Sequence, residues 1–305
     1  MHSYASGRGA KRAGSRGRVA WAAVLVRIGS RGSRLALTQA ELAAQRLRGL
    51  GVELALIPIT TAGDRDRSKP FGEIGARGVF VKELEEALLA GRIDVAVHSA
   101  KDMTSVDTDG LAVGAYLERE DPRDALCGAT ELRPGMRIGT ASVRRRAQLL
   151  ALEPGLSIEP LRGNIDTRLR KRGERGLHAI VLAACGLDRL GLEGEIGMRF
   201  DPEQLLPEAG QGALALQVRS GEEPLVAKAD DPETRRRVEA ERRCVSTVGG
   251  GCLAPVAAHH DGAQLVGLVA AEDGTWLERR AGGDPEALGR ELAALANERT
   301  DSART

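Results

Sequence analysis

The sequence predicts an α/β protein built from two similar units that face each other across a cleft, followed by a small α+β domain. The first observation behind this is a repeat. Residues 24–37 read VLVRIGSRGSRLAL and residues 136–149 read MRIGTASVRRRAQL. In each copy an apolar segment ends at Arg-Ile-Gly, a Ser or Thr follows, and arginines crowd the start of an amphipathic run. The second is that each copy leads into the same alternation of apolar strands and amphipathic helices, the mark of a mostly parallel sheet. The third is a change of pattern after about residue 232, where a long helix gives way to alternating strands and a final helix.

In chain order, Val24–Ile28 reads as the first strand and Gly29 as the residue that turns it. A helix over 35–50 follows, with Leu35, Leu42, Leu47 and neighbouring alanines on its inner face. VELALIPIT (52–60) is a second strand. The polar, glycine-rich segment 61–78 is too long for an ordinary turn and reads as a functional loop. A helix over 79–91 leads into the strand RIDVAVHS (92–99). EREDPRDA (118–125) is charged, holds a proline and suits a crossing between units. The order then repeats: a strand at Arg137–Gly139 with Gly139 as its turn, a helix over 142–152, LSIEPL (156–161), a helix over 165–175 and HAIVLAA (178–184). LPEAGQGALALQVR (206–219) reads as a return crossing into another apolar strand. The expected boundaries are a basic extension over 1–23, a first domain over 24–117 and 213–230, a second over 123–206 and a third over 232–305.

Composition narrows the field. A chain of 305 residues with 42% hydrophobic and 2% aromatic content can bury a large core, and that core must be aliphatic. Net charge is +1, which argues against a nucleic-acid binder. Residues 1–27 alone carry +6, leaving −5 for the rest. This basic start followed by Val19–Val26 has the outline of a signal peptide, but the apolar run is short and ends at Arg27. No run is long enough to span a membrane, so a cytoplasmic protein is expected. Cys127, Cys185, Cys244 and Cys252 form no Cys-x-x-Cys pair and lie among no histidine cluster, which predicts neither a zinc site nor a disulfide framework.

Several residues could carry chemistry. Backbone N–H groups at a helix start, with Arg31 and Arg34 in one copy and Arg144, Arg145 and Arg146 in the other, would grip anions such as carboxylates or phosphates. HSAKD (98–102) follows a buried strand at its carboxyl end, where open α/β sheets put their ligands. Lys101 stands out because the chain has only six lysines. Asp102 beside it would stay ionised and could stabilise positive charge developing on a substrate nitrogen. His98 reads as a packed, hydrogen-bonded residue rather than a general base. LRGNIDTR (161–168) adds Arg162 and Arg168 to the same rim. GGGC (249–252) presents Cys252 at the end of a loop that can approach another surface, either as buried filler or as a covalent attachment point; on the residues alone, filler is favoured.

Taken together these motifs resemble the hydroxymethylbilane synthase (porphobilinogen deaminase) family. RIGSRGSRLALTQA, GVFVKELEEALL, IDVAVHSAKDM, EREDPRDAL, IGTASVRRRAQL, LRGNIDTRL, CGLDRLG, LPEAGQGAL and GGGCLAP occur in the family's order. The resemblance implies two periplasmic-binding-protein-like (type II) α/β domains enclosing the cleft, with a third α+β domain whose cysteine, here Cys252, is bound through a thioether to a dipyrromethane cofactor. It implies that Asp102 contacts pyrrole nitrogens. It also implies that Arg31, Ser33, Lys101, Ser142, Arg144, Arg145, Arg162 and Arg168 hold acetate and propionate side chains. The implied reaction is a deaminating polymerisation of four porphobilinogen molecules, by a monomer that needs no metal, nucleic acid or membrane.

Each porphobilinogen carries two carboxylates, so a growing chain would need many cations, which suits the arginine-rich rim. The chain departs from the family pattern at Glu73 and Arg77 in the loop and at Ala141 in the second turn. Two other classes share the architecture. A two-lobed solute-binding protein would need a secretion signal and no Cys252; a ligand-sensing regulator would need a helix-turn-helix, which residues 1–20 do not form.

Overall fold

The computed structural model describes residues 25–49, 51–59, 79–103, 108–249 and 255–302. The extension 1–23, the loop 61–78 with Glu73 and Arg77, and Cys252 lie outside the described residues.

The first sheet has the order β2-β1-β3-β10-β4, from β1 (Leu25–Arg31), β2 (Glu53–Ile59), β3 (Val95–Ser99), β4 (Leu111–Tyr116) and β10 (Leu214–Arg219). β1 runs parallel to β2 and β3, whereas β10 is antiparallel to β3 and β4. The second sheet has the order β7-β6-β8-β5-β9, from β5 (Asp124–Cys127), β6 (Arg137–Gly139), β7 (Ser157–Glu159), β8 (Ala179–Ala183) and β9 (Ile196–Arg199). Here β6 is parallel to β7 and β8, and β5 is antiparallel to β8 and β9. The two orders superpose position by position. In each sheet the fourth strand is the one that emerges from a crossing, β5 after residues 117–123 and β10 after 206–213.

The helices that the periodicity predicts are present: α1 (Arg34–Arg48), α2 (Val79–Leu89), α3 (Val143–Leu152), α4 (Ile165–Glu174), α6 (Pro232–Val248) and α7 (Pro285–Ser302), joined by a short α5 (Ala184–Arg189) that the sequence reading did not include. The inner face of α1 is made by Gln39, Ala40, Ala43, Ala44 and Leu47, while Leu35 and Leu42 are half-buried. Small alanines let the helix lie close to the sheet, and full burial of a Leu such as Leu47 is worth about 2 kcal/mol. The core is aliphatic as composition requires, with Phe200 and Tyr116 as buried aromatic exceptions. Three strands escaped the sequence reading. β4 and β9 are short and lack a clean period. β5 starts at Asp124, inside the charged run that reads as connection.

The third sheet is the antiparallel meander β11 (Val256–His260), β12 (Leu265–Ala270) and β13 (Leu277–Gly282). One face packs on α6 and α7 through Cys244, Ala258, Leu265, Val269, Leu288 and Leu292. The other packs on the second unit, where Ala257, Leu268 and Ala270 meet Ala147 and Leu206. Among the described residues no helix is long and apolar enough to cross a membrane.

Gly29 and Gly139 do not act as the repeat predicts. Neither has a positive φ; both sit inside or at the end of a strand. What demands glycine is space. A Cβ on Gly29 would lie 2.3 Å from Ile93 Cδ1, and one on Gly139 would lie 2.8, 2.9 and 3.0 Å from Leu177, Leu161 and Ile180. Gly139→Val should therefore destabilise the protein by about 1–3 kcal/mol through overpacking. Gly173→Ala, in α4 with nothing within 4 Å of the new methyl, should stabilise it by about 0.5–1 kcal/mol. Urea unfolding of both variants checks the contrast, and equal midpoints would refute the packing account.

Candidate active site

The carboxyl ends of the parallel strands in both sheets carry the residues singled out from sequence. In the first unit, β1 ends at Arg31 and Ser33 caps α1, accepting a hydrogen bond from the Ala36 amide at 3.3 Å. β3 ends at Ser99 and runs into a single 3₁₀ turn, Ala100–Asp102, which presents Lys101 and Asp102, both half-buried. In the second unit, Ser142 caps α3 by accepting from the Arg145 amide at 3.4 Å. Arg162 follows β7 and is exposed; Arg168 lies one turn into α4 and donates Nε to the Gly163 carbonyl at 2.6 Å. As caps, the two serines use their oxygens as acceptors, which leaves each hydroxyl proton to donate elsewhere.

Four of these residues come together across the two units. Burial lowers the Lys101 ammonium to about 8, and the Arg145 charge lowers it further, against opposing pulls from Asp102 and Asp124. Burial likewise lowers Arg168 to about 10, again with Arg145 adding to the effect and Asp102 opposing it. The first unit thus supplies Lys101 and Asp102, and the second supplies Arg145 and Arg168. Half-buried cations that repel one another create a demand for negative charge. Carboxylate ligands would meet it.

Arg144 and Arg145 have an internal partner that the sequence reading missed. Asp124, the first residue of β5, is fully buried. Arg144 donates Nη2 to its Oδ2 at 2.8 Å and Nη1 to the Leu206 carbonyl at 2.6 Å. Arg145 donates Nη2 and Nε to Asp124 Oδ1 at 2.7 and 3.1 Å, and Nη1 to the Val181 carbonyl at 3.1 Å. Burial alone would raise the Asp124 carboxyl, but the two guanidiniums and hydrogen bonds from Arg145 and Gln211 hold it below the ordinary range. An external carboxylate would have to compete with Asp124 for these arginines.

Arg34 and Arg146 of the repeat tie units together. Arg34 reaches Asp166 at 3.0 Å and the Leu190 carbonyl at 3.1 Å, and Arg146 reaches the Glu272 carbonyl at 3.3 Å. His98 is buried and shares a 3.0 Å hydrogen bond with Gln217, with its pKa lowered by burial; it is the packed residue expected. Cys127, Cys185 and Cys244 are buried free thiols, and burial pushes Cys127 and Cys244 up to about 11.

Gln211 is the second residue that sequence reasoning missed. It lies fully buried in the return crossing. Its Oε1 accepts from Lys101 Nζ at 3.1 Å, and its Nε2 donates to the Pro122 carbonyl at 2.6 Å and to Asp124 Oδ1 at 2.9 Å. A polar amide between two glycines in an apolar stretch was the available signal.

Comparison with known proteins places the chain in a family. The family model "Porphobilinogen deaminase, dipyromethane cofactor binding domain" matches residues 26–227. The porphobilinogen deaminase of Bacillus subtilis (strain 168) is 43% identical over 288 residues, covering 88% of this chain and 92% of that one. That of Syntrophotalea carbinolica is 46% identical over 286 residues, with coverage of 88% and 91%. That of Roseiflexus sp. (strain RS-1) is 44% identical over 291 residues, with coverage of 90% and 95%. Among solved structures, the methionine-binding protein MetQ covers 70% of this chain and 92% of its own at a TM-score of 0.43 and 14% identity, too low to argue from.

Removing Asp124 would leave two buried guanidiniums without their shared carboxylate. Asp124→Ala should therefore lose about 3–5 kcal/mol of stability, read as a lower denaturant midpoint at neutral pH. Because the folded carboxyl is depressed, its contribution is complete above the unfolded value of about 3.9 and is lost as pH falls below it. The gap between wild type and variant should thus narrow in acid; a gap independent of pH would contradict the assignment.

Proposed function

The chain belongs to the porphobilinogen deaminase family, and from that premise we propose how its residues divide the work of a hydroxymethylbilane synthase. The reaction joins porphobilinogen molecules head to tail on a dipyrromethane primer, releasing ammonia and the linear tetrapyrrole. The observation that carries the reading is the meeting of Lys101 and Asp102 from one sheet with Arg145 and Arg168 from the other.

The donor set fits the cofactor chemically. Dipyrromethane carries acetate and propionate side chains, and the cleft offers a half-buried ammonium, buried and half-buried guanidinium groups and one half-buried carboxylate among them. When bound, the cofactor supplies a nucleophilic pyrrole carbon as primer. We assign its covalent attachment to Cys252, beyond α6. Arg31, Ser33, Lys101, Ser142, Arg144, Arg145, Arg162 and Arg168 hold the carboxylates of cofactor and substrate, with Arg144 and Arg145 doing so in competition with Asp124. Arg77, which precedes α2 in the sequence, is assigned to the functional loop that the sequence predicts over 61–78. The guanidiniums bind by paired hydrogen bonds that a lysine could not reproduce, and the serine hydroxyls add single donors.

Asp102 acts on charge. Loss of ammonia from porphobilinogen leaves an electron-poor centre whose positive charge spreads onto the pyrrole nitrogen. A carboxylate fixed by the turn after β3 stabilises that charge without having to reorganise. The same reading makes the protein a transferase in porphyrin biosynthesis, working in the cytoplasm as a monomer, with domain limits at 24–117 plus 213–230, 123–206 and 232–305.

Incubation of purified protein with porphobilinogen tests the function directly: ammonia should appear with hydroxymethylbilane. Asp102→Asn keeps the shape and removes the charge, so turnover should fall by at least ~100-fold; a near-normal rate would remove Asp102 from the mechanism.

Denaturing mass spectrometry tests the attachment. The purified chain should exceed its sequence mass by two linked pyrrole units, and thiol reductants should not remove them, because a thioether does not undergo disulfide exchange. Cys252→Ser should lack the adduct and be inactive, while Cys185→Ser keeps it. An unmodified Cys252 in active protein would overturn the assignment.

A further inference from the structure

Among the described residues Lys101 is the only lysine placed at the site, and its nitrogen is held by one residue of the return crossing. The Gln211 amide has no freedom to flip. Its Nε2 donates to two acceptors, the Pro122 carbonyl and Asp124 Oδ1, so Oε1 must face Lys101 Nζ, 3.1 Å away.

The backbone around Gln211 is equally fixed. Gly210 and Gly212 have φ of 76° and 93°. A Cβ on Gly210 would lie 3.0 and 3.1 Å from the Ala100 and Lys101 backbone, and one on Gly212 would lie 2.5 Å from the Glu120 carbonyl oxygen. The segment is therefore wedged between the turn that carries Lys101 and the first crossing. Arg119 donates Nε to the Gln211 carbonyl at 2.9 Å, and the Gly210 amide donates to Glu241 at 2.8 Å.

We propose that Gln211 is a positioning residue for the reaction: it fixes the Lys101 ammonium in the cleft and couples it to the Asp124–Arg145 pair of the opposite sheet. The proposal rests on the reading above only for what Lys101 binds. The link itself is between residues on the page.

The coupling has a signature. An acceptor oxygen on a buried ammonium favours its charged form, so removing that oxygen must lower the Lys101 pKa further, and a carboxylate in its place must raise it. The other charges facing Lys101 are Asp102 on its own turn, Asp124 on β5 and Arg145 on α3, with the Cys185 thiol on α5. Arg242 of α6 donates to the Ala100 and Met103 carbonyls that bracket the turn. Of these groups only Asp124 touches Gln211, and Leu and Glu at 211 both remove that hydrogen bond, so the contrast between the two variants reads the group facing Lys101.

The test is a titration of Lys101 in the holoenzyme carrying isotope-labelled lysine. The chain has six lysines, and the signal missing in Lys101→Arg assigns the one required. Wild-type Lys101 should titrate near 8. Gln211→Leu should move it down by about one unit and Gln211→Glu up by a similar amount. The rise of KM for porphobilinogen with pH should follow the same order and vanish in Lys101→Arg. Unfolding midpoints measured alongside show how much each variant is merely destabilised.

A purely structural glutamine would lower stability and kcat in both variants and leave the Lys101 titration where it was. That result, or shifts in the same direction for Leu and Glu, would overturn the proposal. A wild type that shows the titration but releases no ammonia from porphobilinogen would instead refute the functional reading and leave the coupling intact.

Discussion

One buried carboxylate organises the molecule. Asp124 begins the strand that follows the first crossing, and Arg144 and Arg145 approach it from the helix after the next strand. Through Arg144 the same cluster holds the Leu206 carbonyl, and Gln148 of that helix takes both the amide and the carbonyl of Leu206. Through Gln211 it reaches Lys101 in the other sheet. Both crossings and the site are thus referred to a single side chain. Such a cluster adds little net stability over a well-packed apolar core. Its value lies in direction: apolar contacts would not fix where two arginines and a lysine point, whereas a shared acceptor does.

A second buried acid does for the third unit what Asp124 does for the first two. Glu241 of α6 is fully buried and receives both terminal nitrogens of Arg119 at 2.6 and 3.0 Å, together with the Gly210 and His260 amides at 2.8 Å each. Burial would raise this carboxyl, yet Arg119 and His259 hold it down to about 2. The next residue, Arg242, reaches the Ala100 and Met103 carbonyls. The helix that leads toward Cys252 is therefore anchored on the crossings by one residue and on the Lys101–Asp102 turn by its neighbour.

Much of this was legible from local pattern, and the rest was not for a definite reason. Most strands and helices of the two matched halves follow from apolar period, β4, β5, β9 and α5 excepted, and the candidate site lies at the strand carboxyl ends that HSAKD and LRGNIDTR mark. What local pattern could not show is which charge pairs with which. Arginines at two helix starts look alike in sequence, yet Arg34 and Arg146 tie units together while Arg145 turns inward to Asp124. Asp124 itself sits in a run of charges that reads as solvated connection; only the antiparallel pairing of β5 with β8 and β9 buries it. Gly29 and Gly139 were recognised as special for the wrong reason: side chains from distant segments, not the local backbone angle, exclude a Cβ there.

The electrostatics of the cleft follow from this frame. Lys101 and Arg168 are held where burial and the Arg145 charge make protonation harder than in water. For Lys101 the folded value of about 8 lies below the ordinary 10.5. Between those two pH values the unfolded chain holds a proton that the folded one has released, so stability rises with pH across that window; below about 8 the full penalty persists. The folded protein thus carries an unfavourable charge arrangement at neutral pH, stabilised by the frame around it. A carboxylate entering the cleft relieves that arrangement, raising the Lys101 pKa and, above about pH 8, drawing in a proton as it binds. On the proposed role of Lys101, substrate affinity and proton uptake would be linked through that one lysine.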